Sequence, residues 1–209
     1  MVYIDIHKGQ GARADSPAFV GGFYQQFGKR AFDVTLVIAL APLWVSLSLL
    51  LWALAWLETG FGSFADERIG QFGHRFQCLK IRTMRPNVRR GCAAYKCARD
   101  PRITPLGRIL RCSSLDELPQ LWCVLKGEMS LVGPRPVPER ELHRYGAQRS
   151  AYEQMRPGLT GLWQVSGRNA LSYRARIALD AQYARSASFW FDLKILCATL
   201  REVALLNGR

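Results

Sequence analysis

Two acidic residues, Asp116 and Glu117, stand side by side in the short apolar segment SLDELPQL at residues 114–121. A carboxylate can act as a nucleophile, and a neighbouring carboxylate can hold Mg²⁺ against phosphate oxygens. A little further along, the tetrapeptide GPRP places Arg135 between two prolines. Their fixed backbone suits a preset anion contact, although a rigid turn with an incidental arginine gives the same pattern. These residue types indicate chemistry on a phosphorylated substrate.

The acid pair also has a purely structural interpretation, because Ser114 and Glu117 match a capping box at the start of a helix. If Ser114 were the cap, Pro119 would lie where a helical N–H is needed. Capping by Asp116 instead puts Pro119 in the first turn, where no hydrogen bond is missed. We therefore predict a helix over residues 116–126, whose positive end keeps both carboxylates ionised and also attracts a phosphate. Position alone leaves both capping and catalysis open.

The chain is strongly basic, with a formal net charge of +13. Beyond Leu57 there are 25 Lys and Arg against 13 Asp and Glu, and Arg is commoner than Lys. Because the planar guanidinium grips phosphate oxygens in pairs, this excess indicates a polyanionic partner: a phosphorylated substrate, anionic lipid head groups or nucleic acid. A solvated basic surface is the alternative. The aromatic residues concentrate in apolar stripes, not among the cations, so no nucleic acid partner is expected.

The cysteines do not predict a disulfide framework or a zinc site. The six of them include no Cys-x-x-Cys pair and no tight Cys/His grouping, which favours free thiols in a reducing cytosol. At 209 residues the chain can hold one medium domain and a short appendage.

A stretch of 24 uncharged residues, 34–57, is long enough to enter a bilayer, since about 20 suffice to span one. Pro42 lies inside it and is expected to kink or break a helix. Positive charge lies on both sides of the stretch, so charge does not assign its ends to different compartments. A kinked transmembrane helix and a hairpin that returns within one leaflet both fit. Asp33 is expected to pair with Lys29 or Arg30 at the water boundary.

The remaining segments give a coarse organisation. Residues 1–25 are Gly-rich and aperiodic, which predicts a mobile tail. Residues 72–84 predict a turn and a short strand, and residues 103–111 predict a basic amphipathic helix suited to a bilayer interface or to a core. Residues 188–206 predict a second helix with an apolar stripe. The stripe comprises Phe189, Leu193, Leu196, Leu200 and Val203.

Eight short segments of the chain form an ordered series: residues 68–70, 80–84, 100–104, 106–108, 114–121, 126–136, 156–165 and 180–183. In this order they resemble the bacterial sugar transferase family of polyprenyl-phosphate phosphoglycosyl transferases. The resemblance extends from about residue 29 nearly to the C-terminus. One such match would be weak, but the ordered series is specific. It is most similar to the short members that initiate exopolysaccharide repeat units with a hexose 1-phosphate.

The resemblance implies a mainly α fold with a small β element. Within it, residues 1–25 would be a mobile tail and residues 26–57 a re-entrant membrane helix hairpin broken at Pro42. Residues 58–209 would form a compact, cytosolic, membrane-apposed catalytic domain with interfacial amphipathic helices. The place of such a protein is the cytoplasmic face of the bacterial inner membrane, and the lipid bilayer is itself a partner.

The resemblance also implies roles for individual residues. Asp116 would be the catalytic nucleophile, and Glu117 a catalytic residue that holds the cofactor Mg²⁺. The cations expected to bind phosphate are Lys80, Arg82, Arg111, Arg135 and Arg168. The implied reaction moves a hexose 1-phosphate from a UDP-sugar, UDP-galactose or UDP-glucose, to undecaprenyl phosphate. UMP is released through a covalent aspartyl phospho-sugar.

The chain departs from the family pattern at three places. Ala41 precedes Pro42 where the family often has Ser, Asp66 stands where Gln is common, and a Gly-Pro step is missing around residues 60–64. These departures concern hinge geometry and interface contacts and leave the acid pair intact. The sugar transferred and the formation of a homo-oligomer stay open.

Overall fold

The computed structural model describes residues 23–86 and 100–204, so the predicted mobile tail lies outside it except for residues 23–25. The helices are α1 Lys29–Ala39, α2 Ala41–Thr59, α3 Pro105–Ser113, α4 Gln120–Lys126, α5 Glu139–Leu142, α6 Arg149–Glu153, α7 Leu162–Val165, α8 Tyr173–Ser186 and α9 Phe189–Ala204. The strands are β1 Ser63–Ile69, β2 Arg75–Ile81, β3 Ser130–Val132 and β4 Gly158–Thr160. The expected mainly α fold with a small β element is confirmed.

The first sheet is an antiparallel pair of β1 and β2. The turn and strand predicted at residues 72–84 correspond to a 3₁₀ turn, Gln71–Gly73, followed by β2. Side chains alternate between the two faces of a strand, so Lys80 shares a face with the buried Phe76 and Cys78. This register turns a cation inwards, toward the domain, instead of out to solvent.

The second sheet is a parallel pair of β3 and β4. Gly133, just after β3, and Gly158, which begins β4, lie so close that a Cβ on Gly158 would come within 2.1 Å of the backbone nitrogen of Gly133. Only glycines permit this approach. The main core cluster lies around this pair and includes Val132, Val124 of α4 and Ile195 of α9. The tight pairing fixes the backbone that leads directly into Arg135.

The apolar stretch is broken where the proline predicts, but the break itself lies at Leu40. Helix α1 ends there, with φ −90° and ψ 1°, and Pro42 stands in the first turn of α2. A proline in that position has no hydrogen bond to lose, so it starts the second helix without strain. The Trp44 ring nitrogen donates to the Val37 carbonyl at 3.0 Å across the break.

Helix α2 has 19 residues and is long and apolar enough to cross a membrane, by length and composition. Most of it is not buried, and Leu43, Leu49 and Leu57 are strongly exposed. One stripe does contact the domain, because Leu51 and Ala55 are buried in a cluster with other apolar residues. These include Ile81, at the end of β2, and Leu110 of α3. A continuous exposed apolar surface of this kind marks an interaction site for a membrane or another apolar partner.

The prediction that Asp33 pairs with Lys29 or Arg30 at a water boundary is wrong. Asp33 is buried, and its carboxylate accepts a hydrogen bond of 2.6 Å from the Ser130 hydroxyl of β3. Lys29 pairs instead with Asp192, and Arg30 donates to backbone carbonyls of α4. The physical reason is that α1 packs against α4 and β3, so its first turns lie inside the domain.

The Lys29–Asp192 pair anchors the start of α1 to α9. Asp192 is fully buried and receives Lys29 at 2.6 Å, the Tyr24 hydroxyl at 2.7 Å and the Tyr183 hydroxyl at 2.6 Å. A buried pair that loses one charge leaves the other uncompensated, which costs roughly 3–5 kcal/mol. This contact therefore contributes to how firmly α1 is held.

We expect Asp192→Asn to lower the free energy of unfolding by about 3 kcal/mol, because Lys29 would keep a buried charge without a counter-ion. The measurement is the thermal midpoint of detergent-solubilised protein. Glu139→Gln is the matched control, since Glu139 pairs with Arg75 at 2.8 Å but both side chains are more than half exposed. It should cost about 1 kcal/mol or less. Equal losses in the two variants would contradict the prediction.

Candidate active site

One cavity of about 1250 Å³ brings the predicted site residues together. Both acids, Asp116 and Glu117, line it. So do all five cations predicted to bind phosphate, namely Lys80, Arg82, Arg111, Arg135 and Arg168. These residues come from widely separated parts of the chain. Their convergence on one cavity gives it a strongly positive lining with an acid pair in it.

The acid pair lies in a 3₁₀ turn, Leu115–Glu117, and not at the start of a helix. The predicted helix over residues 116–126 is therefore wrong at its beginning, because α4 starts at Gln120. Ser114 ends α3 in the left-handed conformation, with φ 59°, and this reversal separates the two helices. No side-chain cap is formed at the start of either the 3₁₀ turn or α4. The capping interpretation of Asp116 is thereby excluded.

Helix α3 carries the turn to its place beside β2. Its first turn is capped by Thr104, which accepts a hydrogen bond of 2.9 Å from the Gly107 N–H. A Cβ on Gly107 would lie 2.3 Å from the Thr83 carbonyl, so only glycine allows α3 to approach the chain here. Arg111 follows in the last turn of α3. The close approach thus sets both Arg111 and the acid pair against the cations of β2.

The two carboxylates have very different partners. Glu117 Oε1 accepts from Lys80 Nζ at 2.6 Å and from Arg135 Nη2 at 3.1 Å. No hydrogen-bond donor reaches the Asp116 carboxylate within residues 23–86 and 100–204. Glu117 is therefore held in place by charge, whereas Asp116 faces the cavity with its oxygens available.

The pKa values of the two acids also shift in opposite directions. Burial and the charge of Glu117 raise the pKa of Asp116 to about 6, against the opposing pull of Lys80, Arg111 and Arg135. Burial also acts to raise the pKa of Glu117, but Arg135 and Lys80 hold it well below its ordinary value. At neutral pH Asp116 is thus ionised yet poorly solvated, which favours a nucleophile.

The remaining cations lie around this centre. Arg82, which follows β2, stacks over the rings of Phe61 and Phe64 at 5.1 and 5.7 Å and donates to the Ser63 carbonyl. Arg168 adopts a left-handed backbone, with φ 50°, and donates to the Gln164 carbonyl at 2.9 Å. These contacts, made by the guanidinium groups themselves, hold two side chains that line the cavity.

Part of the cavity lining is apolar and is called the apolar wall here. Helix α1 contributes Phe32 and Leu36, and α9 contributes Leu193, Leu196 and Leu200. The stripe predicted on α9 therefore exists, but it faces the cavity, while the residues of α9 that are fully buried include Asp192 and Ile195. A cavity that is lined by both cations and apolar side chains suits an amphipathic molecule that carries a phosphate on a hydrocarbon chain.

The acid pair also fits Mg²⁺. No cluster of three or more metal-ligating side chains occurs in the described part of the chain. Mg²⁺, however, commonly binds through one or two carboxylates, substrate phosphates and water. The second oxygen of Glu117 supplies a carboxylate donor beside the cations of the cavity, which attract phosphate. The remaining ligands of a Mg²⁺ ion would have to come from a phosphorylated substrate and water.

Sequence reasoning missed a group of polar residues at another part of the cavity. Arg68, Gln164, Arg176 and Asp180 line it, with Asp180 almost fully buried. The sequence singles out Asp180 only as part of a segment that resembles the family, and gives it no role of its own. Its burial follows from the packing of α8 against neighbouring elements, which local periodicity does not reveal.

The buried Asp180 should make stability depend on pH. Burial raises its pKa to about 8, against the effects of the Tyr145 hydroxyl, which donates to it at 3.0 Å, and of Arg135. Its pKa in the unfolded chain is about 3.9, so between about pH 4 and pH 8 the folded state binds more protons. Its stability contribution is therefore fully present below pH 4 and is lost as pH rises to 8.

We expect Asp180→Asn, which cannot ionise, to remove that loss. The thermal midpoint of the variant minus that of wild type should rise steadily from pH 4 to pH 8. Tyr145, Tyr152, Tyr173 and Arg135 act on this carboxyl in both proteins, and the difference cancels the titration of all groups they share. A difference independent of pH would show that Asp180 is ionised in the folded protein.

Comparison with known proteins gives a family match over residues 24–205, to bacterial sugar transferase. A UDP-galactose-lipid carrier transferase of Erwinia amylovora is 41% identical over 198 residues, 88% of this chain and 42% of that protein. Exopolysaccharide production protein ExoY of Sinorhizobium fredii is 43% identical over 199 residues, 86% and 87% of the two chains. A UDP-glucose:undecaprenyl-phosphate glucose-1-phosphate transferase of Caulobacter vibrioides is 42% identical over 181 residues, 82% and 68%.

The chain thus spans less than half of the Erwinia protein but most of the Sinorhizobium protein. The matched region contains the acid pair, the five cations and the other residues that line the cavity. The resemblance predicted from the ordered segments is confirmed, and the chain belongs to the bacterial sugar transferase family.

Proposed function

We propose that this chain is a phosphoglycosyl transferase that moves a hexose 1-phosphate from a UDP-sugar to undecaprenyl phosphate and releases UMP. The observation that carries the proposal is Asp116, an ionised carboxylate that no donor of residues 23–86 and 100–204 reaches, in a cationic cavity that has an apolar wall. The names of the relatives support it, since they describe transfer from UDP-galactose and UDP-glucose to a lipid carrier. The step would initiate exopolysaccharide synthesis.

In the first half-reaction an oxygen of Asp116 attacks the sugar-bearing phosphorus of the donor. The new O–P bond forms as the bond from that phosphorus to the bridging oxygen of the diphosphate breaks, and UMP leaves with that oxygen. The product is an aspartyl phospho-sugar. In the second half-reaction a phosphate oxygen of undecaprenyl phosphate attacks the same phosphorus, which forms the lipid diphosphate sugar and regenerates Asp116. Two displacements through a covalent carboxylate replace one difficult step.

The cations perform the electrostatic part of this chemistry. Arg135 and Arg111 lie beside the acid pair, where negative charge develops on the transferred phosphoryl group. Lys80 and Arg135 hold Glu117 in position, and Glu117 with phosphate oxygens of the substrate would hold Mg²⁺. Bound there, Mg²⁺ would neutralise phosphate charge and orient the leaving group. The apolar wall of α1 and α9 would accept the first part of the polyprenyl chain.

The membrane element is proposed to be a re-entrant hairpin on the cytoplasmic face of the inner membrane. In support, the start of α1 and the second half of α2 both contact the same domain, through Lys29–Asp192 and through Leu51 and Ala55. In a cysteine-free background, Phe27→Cys and Phe61→Cys place labels at the two exposed ends of the hairpin. We expect both to react from the cytosolic side only. Reaction from opposite sides would establish a membrane span.

The reaction is tested by UMP release in nanodiscs with undecaprenyl phosphate, Mg²⁺ and either UDP-galactose or UDP-glucose. We expect UMP release that requires the lipid phosphate, stops on addition of EDTA and returns with excess Mg²⁺. The ratio of the two rates would identify the preferred sugar. Folded protein that releases no UMP from these or from N-acetylated donors would contradict the proposed function and favour a membrane-bound basic binding protein.

A further inference from the structure

Three residues that line the cavity carry buried polar atoms that have no hydrogen-bond partner among the described residues. They are Asp180 Oδ1, both amide atoms of Gln164 and Arg68 Nε. All three residues line the cavity, and Asp180 and Gln164 are more than nine-tenths buried. Buried polar groups in folded proteins are nearly always paired, because leaving one unpaired costs free energy. A concentration of unpaired groups in one cavity points to a ligand that pairs with them.

Two of these residues, Gln164 and Asp180, are held by helices α7 and α8. Helix α8 presents Tyr173, Arg176 and Asp180 to the cavity at spacings of three and four residues, which places them on one helix face. Helix α7 contributes Gln164 and Trp163, and the Arg176 guanidinium lies 4.6 Å from the centre of the Trp163 ring. Polar groups beside aromatic surfaces are thus held on two helices that pack against each other.

The chemistry of the unpaired groups selects among ligands. An isolated carboxyl without a second acid is a poor site for a divalent cation, and it would repel a phosphate. A hydroxyl group both donates and accepts, as do a carboxyl in its acid form and an amide. The carboxyl has one oxygen engaged by Tyr145 and the other unpaired, so it can still bind a hydroxyl. The pKa of about 8 at Asp180 keeps that acid form at neutral pH.

We propose that Asp180 and Gln164 form a subsite for the hydroxyl groups of the nucleotide sugar, either those of the hexose or those of the ribose. The proposal rests on the proposed function and adds to it the residues that recognise the non-phosphate part of the donor. Arg68, with its own unpaired nitrogen, lines the same cavity and is tied to Asp66 and the Pro136 carbonyl. Asp180 and Gln164 are specificity residues in this arrangement, and Asp116 remains the reacting group.

The test is equilibrium binding of UDP-galactose, UDP-glucose and UMP to nanodisc-held protein, measured separately from turnover. Asp180→Leu removes both hydrogen-bonding oxygens and should weaken UDP-galactose binding by about tenfold. Asp180→Asn keeps one donor and one acceptor and should stay within about threefold of wild type. Gln164→Met should weaken donor binding by about tenfold while leaving the ligand-free protein as stable as wild type or more so, because two unpaired buried atoms are removed.

Binding of UMP, which has the ribose but no hexose, distinguishes the two sources of hydroxyl groups. If the subsite receives the hexose, Asp180→Leu and Gln164→Met weaken both UDP-sugars and leave UMP binding unchanged. If it receives the ribose, they weaken UMP by the same factor. Either result supports the subsite, and unchanged binding of all three ligands would overturn it.

Tyr145→Phe is the matched control for a structural effect. It removes the same hydrogen bond from the other side and leaves the carboxyl in the cavity. We expect it to bind UDP-galactose within about threefold of wild type, and a tenfold loss in Tyr145→Phe would assign the effect of Asp180→Leu to packing. Failure of the proposed function would instead be wild-type protein that binds nucleotide sugar but releases no UMP with lipid phosphate.

Discussion

Asp116→Asn is expected to reduce release of UMP from the UDP-sugar at least about a thousandfold, because the amide cannot form the phospho-ester bond. The variant should still bind the donor, since the cations that line the cavity are unchanged. The measurements are UMP release with undecaprenyl phosphate and, in its absence, transfer of label from sugar-labelled donor to protein. Wild type should carry label on the peptide that contains Asp116, and the variant should carry none.

The adjacent acid provides the control for this variant. Glu117→Gln also removes one negative charge from the turn, but it leaves Asp116 able to react. It should lower the rate of labelling while still giving an adduct. Asp116→Asn should in addition raise the thermal midpoint, because it removes a poorly solvated charge that has no hydrogen-bond donor among the described residues. Label retained by Asp116→Asn would place the nucleophile elsewhere.

The residues of the candidate site could be proposed from the sequence because several of their signals are local. Asp116 and Glu117 are neighbours, Arg135 is framed by prolines, and Pro42 interrupts a long uncharged stretch. The resemblance to a family supplied the roles and the expectation that Lys80, Arg82, Arg111 and Arg168 converge on one site. The structure brings the two acids and these cations to a single cavity. Their catalytic and binding roles stay predictions.

The partners of buried charges could not be predicted, since they lie far away in the sequence. Helical spacing predicted that Asp33 pairs with Lys29 or Arg30. The hydrogen-bond donor to Asp33 is instead Ser130. Lys29 pairs with Asp192, which lies 163 positions away in the sequence. Local pairing rules assume a helix surface in water. Once α1 packs inside the domain, tertiary contacts replace them.

The wrong helix start at the acid pair and the unrecognised burial of Asp180 in α8 have the same origin. A single left-handed residue, Ser114, separates α3 from the turn, and Asp116 caps no helix because the turn faces the cations of β2. Likewise, Asp180 is one acid in a helix of mixed polarity, and its sequence does not show that the carboxyl is buried. Backbone reversals at non-glycine residues and unpaired buried groups are properties of packing, and both lie in the candidate site of this molecule.

Arg135→Met is expected to weaken metal-free binding of UDP-galactose by about tenfold and to reduce turnover by about a hundredfold or more. Its guanidinium lies in the cavity with one nitrogen 3.1 Å from Glu117 Oε1, so it can contact a phosphate and the acid at once. Arg135→Lys keeps the charge but loses the planar fork, and it should recover only part of the loss. Binding is measured in EDTA, which excludes any contribution from metal.

Two interpretations of Arg135 must be separated, because it touches Glu117. It either grips the donor phosphate or only neutralises the acid, and a double-mutant cycle with Glu117→Gln distinguishes them. Glu117→Gln alone removes a negative charge from a cationic cavity, so metal-free UDP-galactose should bind more tightly although turnover falls. If Arg135 grips phosphate, Arg135→Met still costs about tenfold in that background. If the loss disappears with Glu117→Gln, Arg135 is a counter-ion of the acid pair, and phosphate recognition rests on Lys80, Arg82 and Arg111.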